Sequence, residues 1–296
     1  MIKLGFIGLG IMGLPMAKNL LKAGYNIRAF DVNKTALNQI VSNGANRGES
    51  PKDIATHCDI ILLMLPNSNN VKDVILGENG VIYGLSKGKI VIDMSSISPL
   101  VSQELAEILM EKGIYSLDAP VSGGQEKAEN GTLAFMIGGD EKIFNKCKPI
   151  FQVMGKSITL VGGNGSGQTT KLVNQVIVGI NIAAIAEALS LGKKIGINLE
   201  KIVAAIENGL AGSQCLNDKA PRMINGYYDP GFKIMLHIKD LANVLETSNS
   251  LHVAMPITSQ VMEMMQSLAC DNHSEKDHGS LALYYEKINN LSLKNI

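Results

Sequence analysis

The hexapeptide Gly8-Leu9-Gly10-Ile11-Met12-Gly13 constrains this chain's architecture more than any other segment. It follows the apolar run from Ile2 to Ile7 directly and opens a helical stretch from Pro15 to Ala23, which Gly24 stops. Glycines at this spacing between a strand and a helix make the phosphate-binding turn of a dinucleotide-binding unit. Gly8 permits the tight turn, Gly10 lets a pyrophosphate approach the backbone, and Gly13 lets helix and strand pack closely. Ile11 and Met12 complete the turn, whose N–H groups face the anion at the helix N-terminus. Asp31 ends the second strand 21 positions after Gly10, close to the spacing of about 20 expected of the ribose-binding acid. A carboxylate there accepts from ribose hydroxyls and repels a 2′-phosphate. Val32 and Asn33 follow with no arginine, so the expected cofactor is NAD(H) rather than NADP(H).

Short apolar runs then alternate with amphipathic ones. Strands are predicted at Asn26 to Phe30, Ile60 to Leu65, Ile90 to Met94 and Ile114 to Leu117. Helices are predicted at Asn33 to Asn43 and Ser98 to Lys112, each stopped by a glycine. Strands separated by such helices imply βαβ units and a parallel sheet, which Leu133 to Ile137 and Ile158 to Val161 extend, with a possible change of direction. After the glycine-rich segment 162–167 the pattern changes. One mostly apolar helix runs from Gln168 to about Gly192, and every later segment (near 199–208, 217–225, 235–250, 257–268 and 279–290) reads as helix. The expected fold is α/β: a Rossmann-type doubly wound domain over 1–163, then an all-α domain over 164–296, joined by a long interdomain helix. A helix apolar all round must be covered on every side, so this one is expected to form the spine between two domains or to be buried by a second subunit.

Composition excludes several classes of partner. Lys plus Arg and Asp plus Glu both total 27, so no positive field draws in nucleic acid or anionic lipid. The cysteines Cys58, Cys147, Cys215 and Cys270 lie far apart without metal-ligand spacing and read as buried or half-buried free thiols. The carboxylate-rich cluster that a divalent cation needs is missing, so no metal is expected. Glycines interrupt the apolar N-terminus, unlike a secretion signal. The run from Val176 to Leu189 contains Asn181 and Glu187 and is shorter than the roughly 20 residues that span a bilayer. A cytoplasmic protein is expected.

Two further segments carry candidate chemistry. Lys171, Asn174 and Gln175 fall at i, i+3 and i+4 near a helix start and share one face, which must meet water, a partner or a ligand. Ser122-Gly123-Gly124 ends a strand at the carboxyl edge of the sheet, where open α/β folds bind ligands; its N–H groups and hydroxyl suit a carboxylate. Lys239-Asp240, in mid-helix, reads either as a surface ion pair or as a functional pair. Phe232 reads equally as core or as a border of the nicotinamide, while His237 and His278 read as structural.

These residues carry a resemblance. Gly5 to Gly13, Asp118-Ala119-Pro120-Val121-Ser122-Gly123-Gly124 and Gly167-Gln168-Thr169-Thr170-Lys171-Leu172-Val173-Asn174 resemble the signatures of the β-hydroxyacid dehydrogenases, in order and over essentially the whole chain. Met64 to Ser68, Asp93 to Ile97, Gly209 to Ser213 and His237 to Asn243 are most similar to the branch that reduces tartronate semialdehyde. The resemblance implies Lys171 as acid–base residue, with Ser122, Gly123, Gly124 and Asn174 holding a small 3-oxo or 3-hydroxy acid. It implies that Leu65, Pro66 and Ser96 contact the cofactor, that Lys239 lies near the nicotinamide, and that the chain forms homodimers or homotetramers. Desolvation would lower the pKa of such a lysine toward working pH and assist proton transfer. One departure stands out: many members carry a second asparagine where this chain has Gln175. Rival substrates are 3-hydroxyisobutyrate or a 2-(hydroxymethyl) dicarboxylate, and the rival of another class is a nucleotide-sensing protein without turnover.

Overall fold

The computed structural model describes residues 2–294. The chain divides into two compact units at Lys171, inside its longest helix. In the first unit, β1 (Lys3–Ile7), α1 (Gly13–Lys22), β2 (Asn26–Phe30), α2 (Lys34–Ser42), β3 (Asn46–Arg47), α3 (Pro51–His57), β4 (Ile60–Leu63), α4 (Ser68–Leu76), β5 (Ile90–Asp93), α5 (Pro99–Glu111) and β6 (Tyr115–Asp118) alternate. The strands pair in parallel in the order β3-β2-β1-β4-β5-β6. This is the doubly wound order, and its direction of growth reverses between β1 and β4. Period-two alternation builds a core on each face: Ile60 and Leu62 of β4 point into one, Ile61 and Leu63 into the other. A parallel sheet covered on both sides calls for such continuous aliphatic strands.

Beyond β6 the sheet changes direction. Pro120 interrupts the strand, which resumes as β7 (Val121–Ser122), and both pieces pair antiparallel with β8 (Leu133–Gly139). The short α6 (Gly124–Glu129) precedes β8, and α7 (Glu141–Met154) carries the chain to β9 (Gly155–Gly162), parallel to β8.

The next helix, α8 (Ser166–Ile195), begins in the first unit. In the second unit its later turns join α9 (Leu199–Ile206), α10 (Gln214–Asn225), α11 (Ile234–Ser250), α12 (Pro256–Cys270) and α13 (Ala282–Asn289) around Ile182, Ala186, Leu216, Met223, Leu241, Met265 and Leu281. Local chemistry sets the ends: Ser213 Oγ accepts from Leu216 N to start α10, and Gly226 closes it with φ +64°.

One expectation for α8 needs correction. It is not too short for a bilayer: by length and composition it could cross one, although 44% of its most apolar window is buried within the fold. Within the single chain it is not covered all round, as the expected burial by a second subunit requires. Val173, Ile177, Leu191 and Ile195 are each more than half exposed and recur at helical spacing along one side. Cys270 is exposed rather than half-buried, while Cys58 and Cys147 are buried and Cys215 is intermediate; all four are free thiols.

Candidate active site

The glycine turn leaves β1 at the point where the sheet order reverses. Gly8 has φ +96°, and a Cβ there would stand 2.2 Å from the Met64 carbonyl oxygen, so only glycine lets β1 and β4 close up. A Cβ at Gly13 would lie 1.9 Å from the Gly8 carbonyl oxygen, whereas one at Gly10 would meet nothing within 4 Å. Gly8 and Gly13 are therefore required by packing, and Gly10 borders open space suited to a pyrophosphate. No side chain caps α1 at Met12, so its first-turn N–H groups suit an anion; Ile11 beside them is 61% exposed. Asp31 closes the loop from the far side: its carboxylate accepts from Leu9 N at 2.5 Å and Asn33 N at 2.6 Å. Each oxygen keeps a lone pair for a ribose hydroxyl. These residues fit a dinucleotide.

The ends of β4 and β5 are tied together beside this turn. Leu65 N donates to Ser95 Oγ at 2.8 Å, and Ser95 N donates to Asp93 Oδ1 at 2.9 Å. Pro66 and Ser96 occupy these same two loops. Ser122 ends β7, and Gly123 and Gly124 follow with φ +140° and +70°, a reversal that two successive glycines allow.

The start of α8 is anchored to the same strand ends. Buried Asp118 accepts from Gly165 N at 2.7 Å and Gln168 N at 2.8 Å. Burial pushes its carboxyl above the ordinary range, against the pull of those N–H donors. Gln168, fully buried, donates to the Ser95 carbonyl at 2.7 Å and accepts from Ile97 N at 3.1 Å. Lys171 follows three residues later, 6% exposed. Its helix is thus pinned to the segment that carries Ser96. The sequence motif contained Asp118 and Gln168, but spacing gives no sign of bonds across 47 to 73 residues.

In the second unit a polar chain connects α8 and α11. Asn174 Nδ2 donates to Gln175 Oε1 at 2.8 Å, and Gln175 Nε2 donates to Asp240 Oδ2 at 2.6 Å. Lys239 Nζ lies 3.1 Å from Asp240 Oδ1. Lys239-Asp240 is therefore no solvated surface pair, since Asp240 is 2% exposed and bonded to Gln175. His237 and His278 are buried with their Nδ1 atoms 2.9 Å apart, and Phe232 packs its ring against both. Asp277, next to His278, accepts from the N–H groups of Gly231, Phe232 and Gly279 and pairs with Lys219 at 3.0 Å. Burial alone would raise the Asp277 carboxyl; His278, Lys219 and these N–H groups hold it below the ordinary range.

Comparison with known proteins assigns this arrangement to a family. Residues 3–163 match the model of the NAD-binding domain of 6-phosphogluconate dehydrogenase, and 165–285 match that of the NAD-binding domain of NADP-dependent 3-hydroxyisobutyrate dehydrogenase. The chain is 43% identical to 2-hydroxy-3-oxopropionate reductase of Escherichia coli (strain K12), over 99% of this chain and 100% of that protein. It is 37% identical to 2-(hydroxymethyl)glutarate dehydrogenase of Eubacterium barkeri, over 99% of this chain and 97% of the relative. Among solved structures, a Mycobacterium tuberculosis 3-hydroxyisobutyrate dehydrogenase with L-serine superposes with a TM-score of 0.90 at 29% identity, covering 96% of this chain and 98% of that one. The chain belongs to the NAD-dependent 3-hydroxyacid dehydrogenase family and is an oxidoreductase of it.

Proposed function

We propose that this enzyme reduces tartronate semialdehyde (2-hydroxy-3-oxopropanoate) to D-glycerate with NADH, with Lys171 as the general acid. The observation that carries the substrate reading is the end-to-end identity of 43% with a 2-hydroxy-3-oxopropionate reductase. Residues 1–163 are assigned to cofactor binding and 164–296 to substrate binding and self-association. Gly8, Gly10, Ile11, Met12 and Gly13 would hold the pyrophosphate, Asp31 the ribose, and Leu65, Pro66, Ser96 and Lys239 the nicotinamide half. The cofactor supplies a hydride for the aldehyde carbon. The Ser122 hydroxyl and the N–H groups of Gly123 and Gly124 hold the carboxylate, Asn174 orients the rest of the acid, and Lys171 Nζ gives its proton to the carbonyl oxygen. In the reverse direction the same nitrogen takes the proton from the hydroxyl.

The support for Lys171 is physical. It is a lysine 6% exposed on a helix whose start is held by Asp118 and Gln168, so its backbone has a fixed position relative to the Ser95–Ile97 segment. NADH is favoured over NADPH because a 2′-phosphate would meet the Asp31 carboxylate. A cytoplasmic site of action is proposed because α8 packs much of its apolar surface into the fold, with Ile182 and Ala186 fully buried. The exposed stripe Val173, Ile177, Leu191 and Ile195 supports a homodimer or homotetramer. A spectrophotometric screen of NADH oxidation over short aldehyde acids tests the reading. Tartronate semialdehyde should give the highest kcat/KM, ahead of the semialdehydes corresponding to 3-hydroxyisobutyrate and 2-(hydroxymethyl)glutarate. A higher value for either of those moves the enzyme to a different substrate.

A further inference from the structure

We infer that Gln175 is a specificity-determining residue: it turns the amide of Asn174 so that the asparagine oxygen meets the substrate, selecting acids with a hydroxyl rather than a methyl on C2. This rests on the reading above, in which Asn174 contacts substrate. Amide oxygen and nitrogen look alike in shape, so their placement has to come from the partners. Here one partner decides. Asp240 is 2% exposed and pairs through Oδ1 with Lys239 Nζ at 3.1 Å, and a carboxylate held in such a pair accepts hydrogen bonds and donates none. Gln175, itself 4% exposed, must therefore aim its NH₂ at Asp240 Oδ2, which it does at 2.6 Å. Its Oε1 is then turned to Asn174 and can only accept, and Asn174 Nδ2 donates to it at 2.8 Å. Asn174 Oδ1 is left as the acceptor facing away from Gln175.

The main chain of Gln175 is held as well. Its carbonyl accepts from His237 Nε2 at 3.1 Å, an approach that Gly179 permits, since a Cβ there would lie 3.2 Å from that nitrogen. On its other side His237 Nδ1 lies 2.9 Å from His278 Nδ1, so the ring is held at both nitrogens. Both the side chain and the backbone of Gln175 are thus fixed by α11, the helix that carries Asp240 and Lys239. An acceptor fixed in this way satisfies a C2 hydroxyl and disfavours a carboxylate, which is left to the N–H donors assigned to it above. A methyl at C2 leaves the asparagine oxygen desolvated and unpaired, the situation that gives strong discrimination.

The test compares kcat/KM, with NADH, for 2-hydroxy-3-oxopropanoate and 2-methyl-3-oxopropanoate. It is paired with inhibition of the NADH complex by D-glycerate and by 3-hydroxyisobutyrate, which reads binding without turnover. The wild-type enzyme should favour the hydroxy acid in both measures by about tenfold or more. Gln175→Met keeps the length and removes both polar ends. It should shrink that preference by about fivefold or more, mainly through KM of the hydroxy acid, with kcat on the methyl acid within about twofold. In Gln175→Glu the new carboxyl can donate to Asp240 only when protonated, so the preference should be kept at acid pH and fall as pH rises. The titratable groups near this position are Lys171 one turn earlier on α8, His237, Lys239 and Asp240 on α11, and His278 behind His237; they act on both substrates and cancel in the ratio. A wild-type preference that survives both substitutions unchanged overturns the inference and leaves the reductase reading intact. Equal or reversed wild-type preference overturns it too, and failure to oxidise NADH with either acid sinks the functional reading itself.

Discussion

A methyl group added at Gly10 would meet no heavy atom within 4 Å, whereas one added at Gly13 would stand 1.9 Å from the Gly8 carbonyl oxygen. The two substitutions should therefore separate folding from cofactor binding. Gly10→Ala should leave stability within about 0.5 kcal/mol in urea denaturation while weakening NADH binding about tenfold or more. Gly13→Ala should lose about 1–3 kcal/mol as well as binding, and equal stability losses would contradict this division of roles. The thiols give a second residue-scale prediction. Burial pushes Cys58, Cys147 and Cys215 up to about 11, far above working pH, while Cys270 is exposed. Brief iodoacetamide treatment of the native enzyme at about pH 8 should label Cys270 alone by mass spectrometry. Comparable labelling of Cys58 or Cys147 would show that the fold opens readily there.

Helix α8 depends on its first turn. Gln168→Ala would leave the Ser95 carbonyl and Ile97 N without the partner they have at 2.7 and 3.1 Å. The expected loss is about 2 kcal/mol or more in denaturant unfolding, with kcat falling because the helix carrying Lys171 loses its anchor. A change below about 0.5 kcal/mol would show that Asp118 anchors the helix alone. The sequence made the regular elements legible where apolar period and punctuation agree. Strand β2 matches the expected Asn26 to Phe30, and α5 falls within one residue of the expected Ser98 to Lys112 at each end. Elements with a weak apolar signal escaped. Helix α4 buries only Val71 and Ile75, α7 contains Pro149, which reads as a breaker, and β7 is two residues long. At the candidate site, spacing brought out Asp31, Lys171 and Asn174. The Asp118–Gln168 anchor and the Gln175–Asp240 bond join residues 47 to 73 positions apart, and no local pattern encodes such pairs.

At the scale of the whole molecule, a long helix with Leu191 and Ile195 more than 60% exposed is expected to be covered by a second copy of the chain. Light scattering should give a dimer or tetramer, and Leu191→Glu with Ile195→Glu should shift it toward monomer; a wild-type monomer would contradict the assembly. The cofactor and proton assignments meet in one variant. Lys171→Ala, studied by single-turnover NADH oxidation with tartronate semialdehyde and by direct NADH titration, separates chemistry from cofactor affinity. The account predicts a rate lower by about 10²–10⁴-fold with the NADH Kd within about twofold of wild type. A variant that keeps more than about a tenth of the wild-type rate, a barrier change below about 1.4 kcal/mol, would contradict the role given to Lys171.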